Sequence, residues 1–298
     1  MSNPASNIRH SHQQTGVLGI IATDLSNLTH ISIIEGAQAE ASKWGYPLLI
    51  SGDAGRGPSG EPTHFPFGDW QRVVGTLVVH HGAENDTCDF FTDLPSGLSV
   101  VTTGYAGSRQ GVGTVEIDRR QGAREATEYL VSLGHRRIAY ITSPLRLVES
   151  RDIRRGYLEA LRETRISPDD SLMAVGDGSS AGGYRATAEL LDRKVGFTAL
   201  FAQNDQMAIG ALRAFYEREL RVPHDVAVIG FDDISFAQYC VPPLTTVHCP
   251  FYELGQAGIQ LLVDMIGNKL ISSTVNHLES RLIIRHSCGS QSTSWLAH

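Results

Sequence analysis

Polar side chains follow short apolar runs at several points along this chain. Asp24 to Asn27 come after Val17–Ala22, and Asp118 closes the run at 115–117. Asn204 and Asp205 come after Ala199–Ala202, and Asp232 and Asp233 after Val226–Gly230. Carboxylates accept hydrogen bonds and amides both accept and donate, so such groups gathered in one cleft suit sugar hydroxyls or purine edges. The same carboxylates could act as acid and base on a glycoside, but binding proteins use them without chemistry and nothing supplies a specific nucleophile. Asp118 and Asp205 each precede a helical pattern, so helix capping is an equally simple use for them. Other chemistries find less support. No G-x-S-x-G occurs, and His80-His81 and the RHSH near the start lack partners at metal-ligand spacing. Gly16 to Gly19 is not followed by a phosphate-binding lysine. No cofactor or metal is expected.

The elements that must position these groups alternate. Strands are predicted at Val17–Ala22, 47–51, 76–79, 99–103, 115–117, Ile138–Thr142, 172–175, Ala199–Ala202 and 226–229. Helices are predicted at 31–44, 122–133, 151–162, 181–191, 206–217 and 252–266. Continuous apolar strands with intervening helices imply α/β architecture with parallel sheets covered on both faces. Nine strands point to two Rossmann-like lobes rather than one sheet. Polar groups at the carboxyl ends of such strands lie where open α/β sheets bind small ligands. The segment DAGRGPSGEPTHFPF (53–67) breaks the rhythm; its Gly and Pro density reads as a loop.

The chain has 298 residues and a net charge of −7, with a pI near 5.9. An acidic surface repels phosphate backbones and makes the chain itself a poor nonspecific nucleic-acid binder. Four widely spaced cysteines without a CxxC read as reduced thiols. No apolar run is long enough to span a membrane. The polar start MSNPASNIRHSHQQTG lacks the apolar core of a secretory signal, so the expected location is the cytoplasm.

The words NDQMAIGALRA (204–214), VAVIGFDD (226–233) and PPLTTV (242–247) closely resemble the LacI/GalR family of transcription regulators. LGHRRIAYI (133–141) resembles the start of that family's second lobe. The resemblance spans roughly residues 15–290. It implies a periplasmic-binding-protein type I-like fold with three crossover hinge strands and a ligand cleft between the lobes. Residues 15–133 and 248–276 would form the N-terminal lobe, and 134–247 with 277–290 the C-terminal lobe. A remnant linker at 1–14 and a tail at 291–298 would flank them.

The resemblance also carries Asn204 and Asp232 onto ligand-contacting positions. Asp118 matches the family's strand-ending Asp, and Asp205 stays level between cap and ligand contact. Thr29 and His30 stand where relatives place aromatic or small apolar residues facing the ligand. Two departures stand out. Relatives usually carry an Arg three residues before a Gly-aromatic pair, here Gly156-Tyr157. This chain has Ile153 there, with Arg151, Arg154 and Arg155 around it; Arg151 and Arg154 are the candidates to reach the cleft. Relatives also put an aromatic after the Asp of VGDGSSAGGYRA, where this chain has Gly178.

The function implied is the sensing core of a regulator that binds a small polar effector, a sugar or nucleoside-like molecule, between its lobes. That effector would control operator binding allosterically. Operator DNA would be read by a helix-turn-helix that this chain starts too late to include, and a homodimer is expected. In the family the region of the 53–67 loop usually holds an amphipathic helix that contributes to the subunit interface. The alternative is the substrate-binding protein of a sugar transporter, which shares the fold.

Overall fold

The computed structural model describes residues 16–52, 72–79, 94, 97–104, 111–267 and 275–289. The first sheet contains β1 (Val17–Ala22), β2 (Leu48–Gly52), β3 (Val73–Val79), β4 (Ser99–Thr102) and β5 (Val112–Asp118). With β11 (Val275–Glu279) they run in the order β11-β5-β4-β3-β1-β2, every pair parallel. The second sheet is also parallel, in the order β7-β6-β8-β9. It is built from β6 (Ile138–Thr142), β7 (Met173–Val175), β8 (Ala199–Ala202) and β9 (Ala227–Ile229). β6 and β8 are buried along their whole length, as strands with helices on both faces must be.

Among the described residues six helices cover the sheets: α1 (Leu28–Lys43), α2 (Arg119–Ser132), α3 (Val148–Glu163), α4 (Ser180–Asp192), α5 (Asp205–Glu217) and α6 (Phe251–Ile266). Each starts one to three residues before its predicted limit. Asn27, Asp118, Ser179 and Asn204 cap four of them through their side chains, which draws polar residues to a helix start and hides it from an apolar pattern. The 53–67 loop and His80-His81 lie outside the described residues. Among the described residues no helix is long and apolar enough to cross a membrane.

Three strands the sequence did not single out lie at or beside the crossovers. β10 (Thr246–His248) pairs antiparallel with β12 (Arg281–Ile283). Single bridges, Ile229 to Thr245 and Asp232 to His248, extend β10 along the edge of β9. β11 joins the first sheet and stays in it to Glu279, past the return at 276 read from the sequence.

The first crossover also differs from expectation. The sequence reading placed it at Gly134-His135, after α2, but α2 packs against α3 and belongs with the second lobe. The packing reason is local. A side chain at Gly156 would strike the backbone of Arg120 and Arg124, so the helices touch where only glycine fits. Arg120 pairs with Glu159 at 2.6 Å and Arg124 with Glu163 at 3.0 Å across the same seam. The chain therefore leaves the first sheet at Asp118, returns after β10, and leaves again at Ser280.

Candidate functional site

The carboxyl ends of β1, β6, β7, β8 and β9 open on a cavity of about 510 Å³ between the two lobes, a size typical of small-molecule sites. The β1–α1 loop forms one wall. Asn27 caps α1, its Oδ1 accepting from the Thr29 N–H at 2.9 Å and the Thr29 hydroxyl at 2.8 Å. His30 bonds through Nδ1 to the carbonyl of Asp24 at 2.9 Å. A carbonyl only accepts, so Nδ1 carries a proton. Asp24 sits at the rim, where hydrogen bonds from Ser26 hold its carboxyl below the usual carboxylate range.

The opposite wall comes from the second lobe. Asn204, not Asp205, caps α5: its Oδ1 accepts from the Met207 N–H at 2.8 Å, and its Nδ2 donates to Gly178 O at 2.9 Å. One side chain thus ties two sheet-edge loops together at the cavity. Gly178 has φ +88°, a conformation that strains any residue with a Cβ. The backbone here is therefore built for glycine, at a position where the family resemblance implies an aromatic. Asp177, at the rim, accepts from Ser179 and Arg185, and those hydrogen bonds, Ser179's first, hold its carboxyl low.

Beneath this wall lies Gln203, which the sequence reading passed over. Its Oε1 accepts from the Thr142 hydroxyl at 2.7 Å and the Ser143 N–H at 2.9 Å, while Nε2 donates to Ser150 Oγ at 2.7 Å. The signal was available, since Gln203 is the first polar residue after β8. Its buried network fixes the β6 loop and the start of α3 to β8.

Asp232 closes the cavity floor. Its φ is +104°, well outside the conformations an L-residue prefers. Its backbone holds it there: its N–H donates to Val247 O at 2.8 Å, beside the second crossover. Among the described residues its carboxylate makes no hydrogen bond. Burial, then the charge of Asp205, push its pKa well above the ordinary value, and Arg119 partly offsets this.

Thr29, His30, Asn204 and Asp232 thus share one cavity; the other sequence candidates lie elsewhere. Asp118 is exposed and caps α2, its Oδ1 accepting from the Gln121 N–H at 2.9 Å. Its neighbour Arg119 faces the cavity instead. Asp205 is fully buried behind the wall. It accepts from Thr246 Oγ1 at 2.5 Å and from the Ile234 N–H at 2.9 Å, and burial pushes its pKa up to about 7. Arg151 and Arg154 do not line the cavity. On α3 the lining residues are Glu149, Ser150 and Ile153.

Beside the cavity, Asp233 joins the hinge. Its carboxylate meets Arg285 Nη2 at 2.7 Å and His248 Nδ1 at 3.1 Å. Burial would raise its pKa, but these two partners bring it below the ordinary value. Among the described residues no cluster of His, Cys, Asp and Glu could hold a metal.

Comparison with known proteins agrees with this architecture. A periplasmic binding protein-like domain matches residues 127–288. The HTH-type transcriptional repressor CytR of Escherichia coli (strain K12) is 32% identical over 282 residues, covering 94% of this chain and 81% of its own. The solved structure of a complex of the transcriptional regulator CelR with cellobiose superposes with a TM-score of 0.81 at 31% identity. It covers 91% of this chain and 84% of its own. The lac repressor dimer bound to operator and the anti-inducer ONPF superposes with a TM-score of 0.79 at 26% identity, covering 92% and 82%.

Proposed function

The chain belongs to the LacI family of transcription regulators, and we propose that its interlobe cavity holds a small hydroxylated effector that controls operator binding. The observation that carries this reading is Asp232. A carboxylate with no hydrogen bond from the described residues, on a backbone at φ +104°, is held open to an interlobe cavity. Unfavourable backbone is retained where the surrounding structure needs the side chain in place. Asn204, Gln206, Ser143 and Thr29 around it offer further donors and acceptors.

The related CelR structure holds cellobiose and the lac repressor structure is a dimer on operator. By that relation this chain is read as a dimer-forming cytoplasmic repressor sensing a sugar or nucleoside-like molecule, with no catalytic step. A transporter's binding protein is set aside, because the relatives matched along nearly the whole chain are repressors. An effector with higher affinity for one lobe arrangement would shift the population of DNA-competent molecules.

The test is a thermal-shift screen of aldoses, disaccharides, polyols and ribonucleosides on the purified chain. A ligand at a hundred times its dissociation constant adds about 2.7 kcal/mol of stability. Hits should vanish in Asp232→Ala. A hit that persists unchanged in that variant places the site elsewhere.

A further inference from the structure

Arg119 is the first residue of α2, at the first crossover, and is only 9% exposed. It lines the cavity, yet among the described residues its guanidinium makes no hydrogen bond and no ion pair. Its neighbour Arg120, by contrast, is fully engaged with Glu159. An arginine this deeply buried is usually paired, because removing its charge from water is costly. Asp232, on the same cavity, feels the charge of Arg119 but forms no ion pair with it. A guanidinium and a carboxyl group, each without a partner among the described residues, therefore look into one cavity without forming an ion pair.

We propose that Arg119 is the effector-binding cation of this cleft, gripping with Asp232 a pair of neighbouring hydroxyls on a neutral ligand. The inference rests on the reading of the cavity as an effector site. A hydroxyl both donates and accepts. One hydroxyl donates to the Asp232 carboxylate while the next accepts from the Arg119 guanidinium, so a vicinal diol satisfies both groups without bringing in charge. A ligand anion on Arg119 would be repelled by Asp232 and Glu149 in the same cavity, and a ligand amine on Asp232 would leave Arg119 unmatched. The position where relatives carry their cleft arginine is the apolar Ile153, only 4% exposed. The charge has moved from α3 to the crossover before α2.

The experiment compares wild-type chain with Arg119→Met and Arg119→Lys by calorimetric titration and by melting without ligand. The probes are D-ribose, D-glucose, cellobiose and adenosine, with the 2-deoxy forms of the two monosaccharides. The strongest wild-type binder should lose about tenfold or more in affinity in Arg119→Met and less in Arg119→Lys. Melting of the ligand-free Met variant should equal or exceed wild type, because an unpaired buried charge is removed. Binding within about twofold of wild type in Arg119→Met overturns the inference, as does a clear fall in ligand-free melting, which makes Arg119 structural. If no probe binds wild type, the effector-site reading fails, and the ligand-free melting still decides whether Arg119 is a structural cation.

Discussion

Replacing Asp205 by Asn tests whether this residue anchors the hinge or meets the ligand. Asp205 is fully buried, with its two oxygens bonded to Thr246 Oγ1 and the Ile234 N–H. Burial holds its folded pKa at about 7 against roughly 3.9 for an unfolded Asp. A raised carboxyl pKa means the folded state keeps a proton the unfolded state has released. This stability term is intact below the unfolded pKa and is lost as pH rises through 7. Three pKa steps correspond to about 4 kcal/mol in total, of which about 2 kcal/mol falls between roughly pH 5.5 and 8.5. Asparagine has no such titration and keeps one donor and one acceptor for the same two partners. Urea unfolding at both pH values should show wild type losing about 2 kcal/mol that Asp205→Asn does not lose. Asp205→Ala should lie about 3 kcal/mol below Asp205→Asn at both pH values, since it orphans a buried N–H and a hydroxyl, and so should cost about 2 kcal/mol less against wild type at the higher pH. Ligand affinity at low pH should be unchanged in Asp205→Asn. A wild-type minus Asn difference that stays constant from pH 5.5 to 8.5 would refute the burial argument.

Other outcomes follow from the same geometry. Asn204→Ala removes the α5 cap and the bond to Gly178 O, so unfolding free energy should fall by about 1 kcal/mol and affinity with it; loss of affinity at full stability would make the contact purely a ligand one. The Asp232 carboxylate should bind hydroxyls best when ionised. Affinity measured by titration should therefore drop as pH is lowered through its raised pKa, and Asp232→Asn should bind weakly with a flat pH profile. Arg285→Met strips a partner from Asp233, whose pKa is depressed. It should cost about 2 kcal/mol near neutral pH. By equilibrium unfolding, that difference should shrink as pH falls through the folded pKa of Asp233, where wild type loses the same term.

Fold and site were unequally legible in the sequence. β1, β6 and β8 match their predicted limits because a strand buried on both faces is written as an uninterrupted apolar run. Thr246–His248 and Arg281–Ile283 carry polar residues and only three positions each, so neither period nor composition marks them. The misplaced first crossover has the same origin. α2 has an apolar stripe either way, and which lobe receives it is decided by Gly156 and the Arg120 and Arg124 pairs on α3, contacts remote in sequence. At the site, the strand-end rule found Asn204 and Asp232, which lie in the cavity. It treated Asp118 and Asp205 alike, although one faces solvent and the other the interior. A residue's position after a strand does not say which way its side chain turns; one residue's rotation separates exposed Asp118 from buried Arg119.

That rotation bears on how a ligand would be felt by the rest of the molecule. Arg119 begins α2 at the first crossover, and Asp232 is hydrogen-bonded through its backbone to Val247 beside the second. The third is tied to the first by Ser280 Oγ donating to the carbonyl of Asp118 at 2.7 Å, and to the second by the β10–β12 pair. A diol held by Arg119 and Asp232 is therefore attached to the hinge, not only to the walls that the hinge moves. Its binding energy depends on the distance between two crossovers, so it differs between lobe arrangements even if every wall contact is equal. Only such a difference can shift a two-state equilibrium. A ligand favouring one arrangement tenfold shifts it by about 1.4 kcal/mol, comparable to one charge-assisted hydrogen bond. Loss of the Arg119 contact alone could thus leave a cavity that still binds weakly and no longer signals.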